Sequence, residues 1–103
     1  AAEVYGAYLG GQPGGTVALE DVGGVGIVYD VQTAPHMRRR GVAATMVLRA
    51  LARAREAGLS PLFLLTPVEA TAYQMYEKLG FAREGTLDGY LLSQAPKVPL
   101  TPG

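Results

Sequence analysis

The sequence predicts an α+β fold, a mixed and mostly antiparallel sheet with a central parallel strand pair and helices packed on it. Three observations point there. The first third of the chain holds β-forming runs separated by glycine-rich turns. At Gly41 the spacing of apolar residues changes from alternation to a helical period. A short apolar run bracketed by prolines then stands between two helical stretches, as a strand covered on both faces would.

In chain order, "VYGAYL" (residues 4–9) alternates loosely and reads as a strand, and "GGQPGG" (10–15) as the turn that follows. "TVALED" (16–21) is a second strand, reversed at "VGG", and "VGIVYDVQT" (25–33) a third, more buried one. The three form a β-meander in which Gly23, Gly24 and Gly26 are most simply turn residues. From Gly41 onward Ala43, Val47, Ala50, Leu51 and Ala54 recur at helical spacing, and Gly58 fits the position after the helix end. "PLFLLT" (61–66) is the next strand. Residues 69–79 return to helical spacing through Ala72, Met75, Tyr76 and Leu79, and Gly80 ends that helix. "FARE" (81–84) and "DGYLLS" (88–93) make the last strand pair. The order is β-β-β-α-β-α-β-β, and its strand–helix–strand middle requires a parallel crossover. Residues 1–93 are expected to form one domain, and 94–103, with three prolines, a flexible tail.

The totals narrow the function. The 103 residues suit a single domain with one modest core. Nine basic and nine acidic residues cancel, which argues against a protein that coats nucleic acid through bulk charge. The basic residues nevertheless cluster: Arg38, Arg39, Arg40, Arg49, Arg53 and Arg55 fall within eighteen positions. A neutral chain with one basic patch suits a compact anion better than a polymer, and no aromatic residues are interleaved with the arginines to stack bases. The absence of cysteine excludes thiol nucleophiles and disulfides, and the single His36 cannot build a zinc site. No apolar run approaches the roughly 20 residues of a membrane span. The expectation is a cytoplasmic protein without metal or membrane partner.

Three arginines run into Gly41, and a helix begins behind them. Like charge is costly at a helix N-terminus, where the dipole is already positive. The arrangement makes sense as an anion site: free N–H groups point outward from the helix start, and a residue without a side chain admits a phosphate to the main chain. Ala43 and Ala44 keep that first turn uncrowded. The string is not a Walker loop, and no second glycine completes a dinucleotide fingerprint before Gly58.

"RRRGVA", Arg38 to Ala43, resembles the R/Q-x-x-G-x-G/A signature of the GCN5-related N-acetyltransferases. "YDVQTAPHMRRRGVA" resembles the family's fourth strand running into that loop, and "ATAYQMYEKLGFAREG" its second signature, with Ala72, Tyr76, Lys78, Leu79, Gly80 and Phe81 matching. The likeness covers residues 16–93 and implies the acyl-CoA N-acyltransferase fold in an N-terminally short form, since members usually open with a further strand and two helices.

The resemblance implies roles position by position. The strand of Val31, Gln32 and Thr33 would splay from "PLFLL" to admit the pantetheine arm of acetyl-CoA, and main-chain N–H near Val31 would polarise the thioester carbonyl. Arg38 and the backbone of Arg39, Arg40, Gly41, Val42, Ala43 and Ala44 would hold the pyrophosphate. Tyr76 would protonate the departing thiolate, with Ala72 and Tyr73 close to the coenzyme. The amine would attack directly, without a covalent enzyme intermediate. Glu69 stands where the family often has asparagine.

Several of these residues also have plain structural readings. Tyr76 suits the apolar face of its helix, Tyr73 suits packing or coenzyme contact, and Met37, Met46 and Met75 suit core or loop filling. His36 reads as incidental. Alternation sets Asp30 on the face opposite Val31, toward an acceptor cleft, so Asp30 and Glu69 are the acidic candidates for general base; deprotonation through water would need neither. Two functions follow: an acetyltransferase acting on a primary amine of a small molecule, peptide or protein, or a non-catalytic acetyl-CoA-binding domain or fragment of a larger acetyltransferase. Tyr76 favours the first and the short N-terminus the second. Open strand edges suit a homodimer or a linked domain.

Overall fold

The computed structural model describes residues 2–68 and 72–95. Strand β1 (Ala2–Leu9) turns at Gly10 and Gly11, both at positive φ, into β2 (Gln12–Val22). Gly23 and Gly24 turn the chain again into β3 (Val25–Thr33). A 3-10 turn at Pro35–Met37 precedes helix α1 (Val42–Glu56). Strand β4 (Leu62–Pro67), helix α2 (Tyr73–Lys78), and strands β5 (Ala82–Leu87) and β6 (Tyr90–Gln94) follow. The six strands form one sheet in the order β1-β2-β3-β4-β6-β5, and β3 with β4 is its parallel pair. This is the mixed α+β architecture that the sequence predicts.

The differences lie at the turns. The first turn is confined to two glycines, and Gln12–Gly15 extends β2 instead. Gly15 lies opposite Thr33, where a Cβ would meet the Gln32 carbonyl oxygen at 2.3 Å and Met46 Cε at 2.8 Å. Gly26 is a buried strand residue, where a Cβ would come within 2.7 Å of Leu62 Cδ2. At both positions glycine is required by close approach rather than by a turn. At the C-terminal end, Gln94 pairs with Phe63 and Ala82, and the buried Ala95 donates its N–H to the Leu62 carbonyl at 2.8 Å. The sheet therefore extends past residue 93. The remainder of the expected tail, residues 96–103, lies outside the described residues.

One face of the sheet carries the core. The inward residues Val17, Leu19, Val28 and Leu64 form one cluster with α1 and with Tyr76 of α2. The α1 stripe is Val42, Met46, Val47, Ala50, Leu51 and Ala54. Ala43, expected in that stripe, is only half-buried and stands at the cavity described below. An exposed ion pair, Arg53 to Glu3 at 3.5 Å, links α1 to β1. No helix among the described residues is long and apolar enough to cross a membrane.

Two irregularities shape the open end of the sheet. The β3–β4 pairing covers only Gly26–Leu62, Ile27–Phe63 and Val28–Leu64, so β3 continues from Tyr29 to Thr33 with no pairing to β4. On its other edge β3 is bulged. Tyr29 pairs with Ala18 and Gln32 with Thr16, which leaves Asp30 and Val31 opposite Val17 alone. Asp30 takes a left-handed conformation, φ 51°, which aspartate tolerates better than most residues. The extra residue resets the alternation. Val31 joins the core face, where it packs against the buried cluster, and Asp30 is put out to solvent.

Candidate functional site

A cavity of about 940 Å³ lies at the end of β3 that has no pairing to β4. Four segments bound it: the start of β2 at Pro13, Gly15 and Thr16, the end of β3 at Val31, Gln32 and Thr33, the loop and start of α1, and the Ala72, Met75 and Tyr76 side of α2.

The loop is built to present main chain. The Ala34 N–H donates to the Gly14 carbonyl at 2.8 Å, and Met37 is buried, so the 3-10 turn is fastened before the arginines begin. Arg39 and Gly41 then both adopt positive φ, 65° and 73°. A Cβ on Gly41 would meet nothing within 4 Å. Its glycine is therefore required by the left-handed φ alone, and the space beside its Cα stays open. The first helical hydrogen bond of α1 runs from the Thr45 N–H to the Gly41 carbonyl at 3.0 Å, and no side chain caps the helix. The N–H groups of Val42, Ala43 and Ala44 thus have no acceptor within the helix, and all three residues line the cavity. Arg38 and Arg39 also line it, while no Asp or Glu does among the described residues. Helix dipole, free donors and two guanidinium groups give this end of the cavity a chemistry that suits an anion.

At the α2 side, Tyr76 is buried, with its ring edge-on to Phe81 at a centroid distance of 6.4 Å and an interplanar angle of 73°. None of the described residues hydrogen-bonds its hydroxyl. Burial holds its pKa above the ordinary 10.0, so the phenol keeps its proton at neutral pH. A protonated oxygen without a partner among the described residues, on a side chain that lines the cavity, is available to a ligand.

The structure thus brings Val31, Gln32, Thr33, Arg38, Arg39, Gly41, Val42, Ala43, Ala44, Ala72 and Tyr76 to one cavity. Arg40 is exposed and does not line it. Tyr73 does not line it either; its ring lies under the Arg83 guanidinium, 5.1 Å from the centroid. Asp30 is outside because the bulge turns it to solvent. Glu69 lies outside the described residues. Sequence reasoning missed Pro13, Gly15 and Thr16, which line the wall because β2 begins inside the supposed turn; Met75 packs against the core as a filler would and lines the cavity as well.

The acetyltransferase (GNAT) family matches the chain over residues 1–81, and the chain belongs to that family. Solved structures agree on the fold. The PaiA N-acetyltransferase of Thermoplasma acidophilum, crystallised with coenzyme A, is 17% identical with a TM-score of 0.81, over 91% of this chain and 60% of that one. An acetyltransferase of Bacillus subtilis in complex with CoA is 15% identical with a TM-score of 0.82, over 94% and 78%. Nourseothricin acetyltransferase is 27% identical with a TM-score of 0.78, over 92% and 65%. The chain thus spans about three fifths of the length of the Thermoplasma protein. Comparison with curated proteins gives no match.

Proposed function

We propose that the protein is an acetyl-CoA-dependent N-acetyltransferase that moves the acetyl group to a primary amine in a ternary complex. The observation that carries this reading is the pairing, in one cavity, of an uncapped helix start behind Gly41 with the protonated hydroxyl of Tyr76. Family membership and the CoA complexes of the Thermoplasma and Bacillus proteins support it. The residues present fit the coenzyme: three unpartnered amides and two arginines suit a pyrophosphate, and the unpaired edge of β3 suits an amide-bearing arm that lies along it like an added strand.

Acetyl-CoA supplies an activated acyl group when bound. This chain's residues do the rest. The amides of residues 42–44, with Arg38 and Arg39, hold the pyrophosphate, and Arg40 adds charge from outside the cavity. Main chain near Val31, beyond the last pairing to β4, donates to the thioester carbonyl as negative charge develops there. The Tyr76 hydroxyl gives its proton to the leaving sulfur. Free amine attacks the carbonyl carbon directly, and water or an acidic side chain takes its surplus proton. Asp30 and Glu69 are the acidic candidates for that role; Asp30, being exposed, serves only an amine that approaches from solvent. The acceptor is a primary amine of a small molecule, peptide or protein.

The test exploits the composition. Because the protein has no thiol of its own, a thiol-reactive dye added to protein, acetyl-CoA and a panel of amines reports only released CoA. Amine-dependent release supports the reading. Coenzyme binding with no release across small-molecule, peptide and protein amines refutes it.

A further inference from the structure

The cation–π contact of Arg83 with Tyr73 lies outside the cavity, yet it bears on how the cavity is held. Helix α2 has six residues, too few to hold its own conformation in water. Its orientation must come from what its side chains touch. Ala72, Met75 and Tyr76 form the side that lines the cavity. Two ring contacts brace the helix. Tyr76 meets Phe81 edge-on, and Tyr73, one turn earlier, lies under the guanidinium of Arg83. Both bracing residues belong to the segment that follows the helix at once, where the Phe81 N–H also donates to the Tyr76 carbonyl at 3.1 Å. Arg83 pairs with Ser93, which is fully buried and pairs in turn with the core residue Leu64. This register sets Arg83 on the sheet face that carries the helices.

The Tyr76–Phe81 contact and the packing of Ala72, Met75 and Leu79 on the core hold the inner face of α2. The Tyr73–Arg83 contact adds a second hold at the N-terminal end of the helix, on a residue outside that cluster. We propose that Arg83 is a positioning residue: by capping the Tyr73 ring it fixes the rotation of α2 and so the place of the Tyr76 hydroxyl at the cavity wall. The inference rests on the acetyltransferase reading for its kinetic consequence only. Its structural content, that Arg83 sets the surroundings of Tyr76 through Tyr73, stands apart.

The experiment compares Arg83→Ala, Arg83→Lys, Tyr73→Leu and the Arg83→Ala/Tyr73→Leu double variant. Tyrosine is labelled with 13C at Cζ, and the Tyr76 signal is assigned by its loss in Tyr76→Phe. Without any coenzyme, Arg83→Ala shifts the Tyr76 signal, Tyr73→Leu shifts it alike, the double variant shifts it no further, and Arg83→Lys, which keeps a cation over the ring, largely restores it. In turnover, Arg83→Ala lowers kcat by about 10- to 100-fold, the scale of a small misplacement of a reacting group, with KM for acetyl-CoA within about twofold of the parent. A Tyr76 signal unmoved in Arg83→Ala overturns the proposal, as does additivity of the two single changes. If the parent turns over no amine, the acetyltransferase reading fails, and the signal still decides the role of Arg83.

Discussion

Replacing Gly41 with valine separates what the fold needs at that position from what a ligand needs. Gly41 sits at φ 73°, ψ 11°, and nothing lies within 4 Å of where a Cβ would be. The folded chain therefore meets no clash. It bears only the left-handed backbone, about 1–2 kcal/mol for an ordinary L-residue and somewhat more for a β-branched one. For a domain of this size that lowers Tm by roughly 4–8 °C per kcal/mol. A bound pyrophosphate would meet the side chain in that open space and lose contact with the amides of Val42 to Ala44. Each charge-assisted hydrogen bond is worth about 1.5–3 kcal/mol. Losing two weakens binding by roughly 10²- to 10⁴-fold, a larger effect than the stability change. The assay is calorimetric titration of parent and variant with CoA, beside thermal unfolding of both. A variant that melts a few degrees lower and still binds CoA within about threefold of the parent would refute the assignment of this loop to the pyrophosphate.

Three further outcomes follow from the same geometry. Tyr76→Phe removes a hydroxyl that no described residue hydrogen-bonds; Tm is expected to hold or rise and CoA affinity to stay, while kcat falls by about 10²-fold or more, and equal loss of affinity and kcat would remove the general-acid role. Gly15→Ala drives a methyl to within 2.3 Å of the Gln32 carbonyl oxygen, so it should cost about 1–3 kcal/mol as overpacking does and weaken CoA binding at the same wall; an unchanged melting curve would show that β2 and β3 separate freely there. Finally, Tyr76 has a raised pKa in the folded state, so the folded state holds its proton more tightly than the unfolded state does. The associated stability is fully present below pH 10 and is lost as pH rises through the folded value. Melting temperatures between about pH 8 and 11 should fall more steeply for the parent than for Tyr76→Phe; Tyr5 and Tyr29, also raised by hydrogen bonds to Glu3 and Glu20, are common to both proteins and cancel.

Most of the sheet could be read from the chain because its signals are local. Alternation, the change of period at Gly41 and the prolines around β4 each concern a few neighbouring residues. The loop before α1 was legible for the same reason: arginines, glycine and helix start are contiguous. What escaped depends on pairing across strands. Nothing in "VYDVQT" announces that Asp30 and Val31 share one partner, Val17; alternation counted from the buried Val28 would carry Asp30 to the core face, whereas it stands in solvent. The two-residue turn at Gly10 and Gly11 was hidden because Gly14 and Gly15 look like turn residues too, whereas Gly15 is kept small by Met46 of a helix some thirty residues on. Arg83 escaped because its partner Tyr73 is ten positions away and only the register of β5 on β6 points it back over α2.

The central claim is that the uncapped start of α1 holds the pyrophosphate of a coenzyme. The most direct measurement is a pair of titrations of the parent protein, one with CoA and one with pantetheine, which shares the arm and lacks the pyrophosphate. The account predicts about micromolar binding of CoA and binding of pantetheine at least 100-fold weaker. No heat with CoA, or equal affinity for the two, would contradict it.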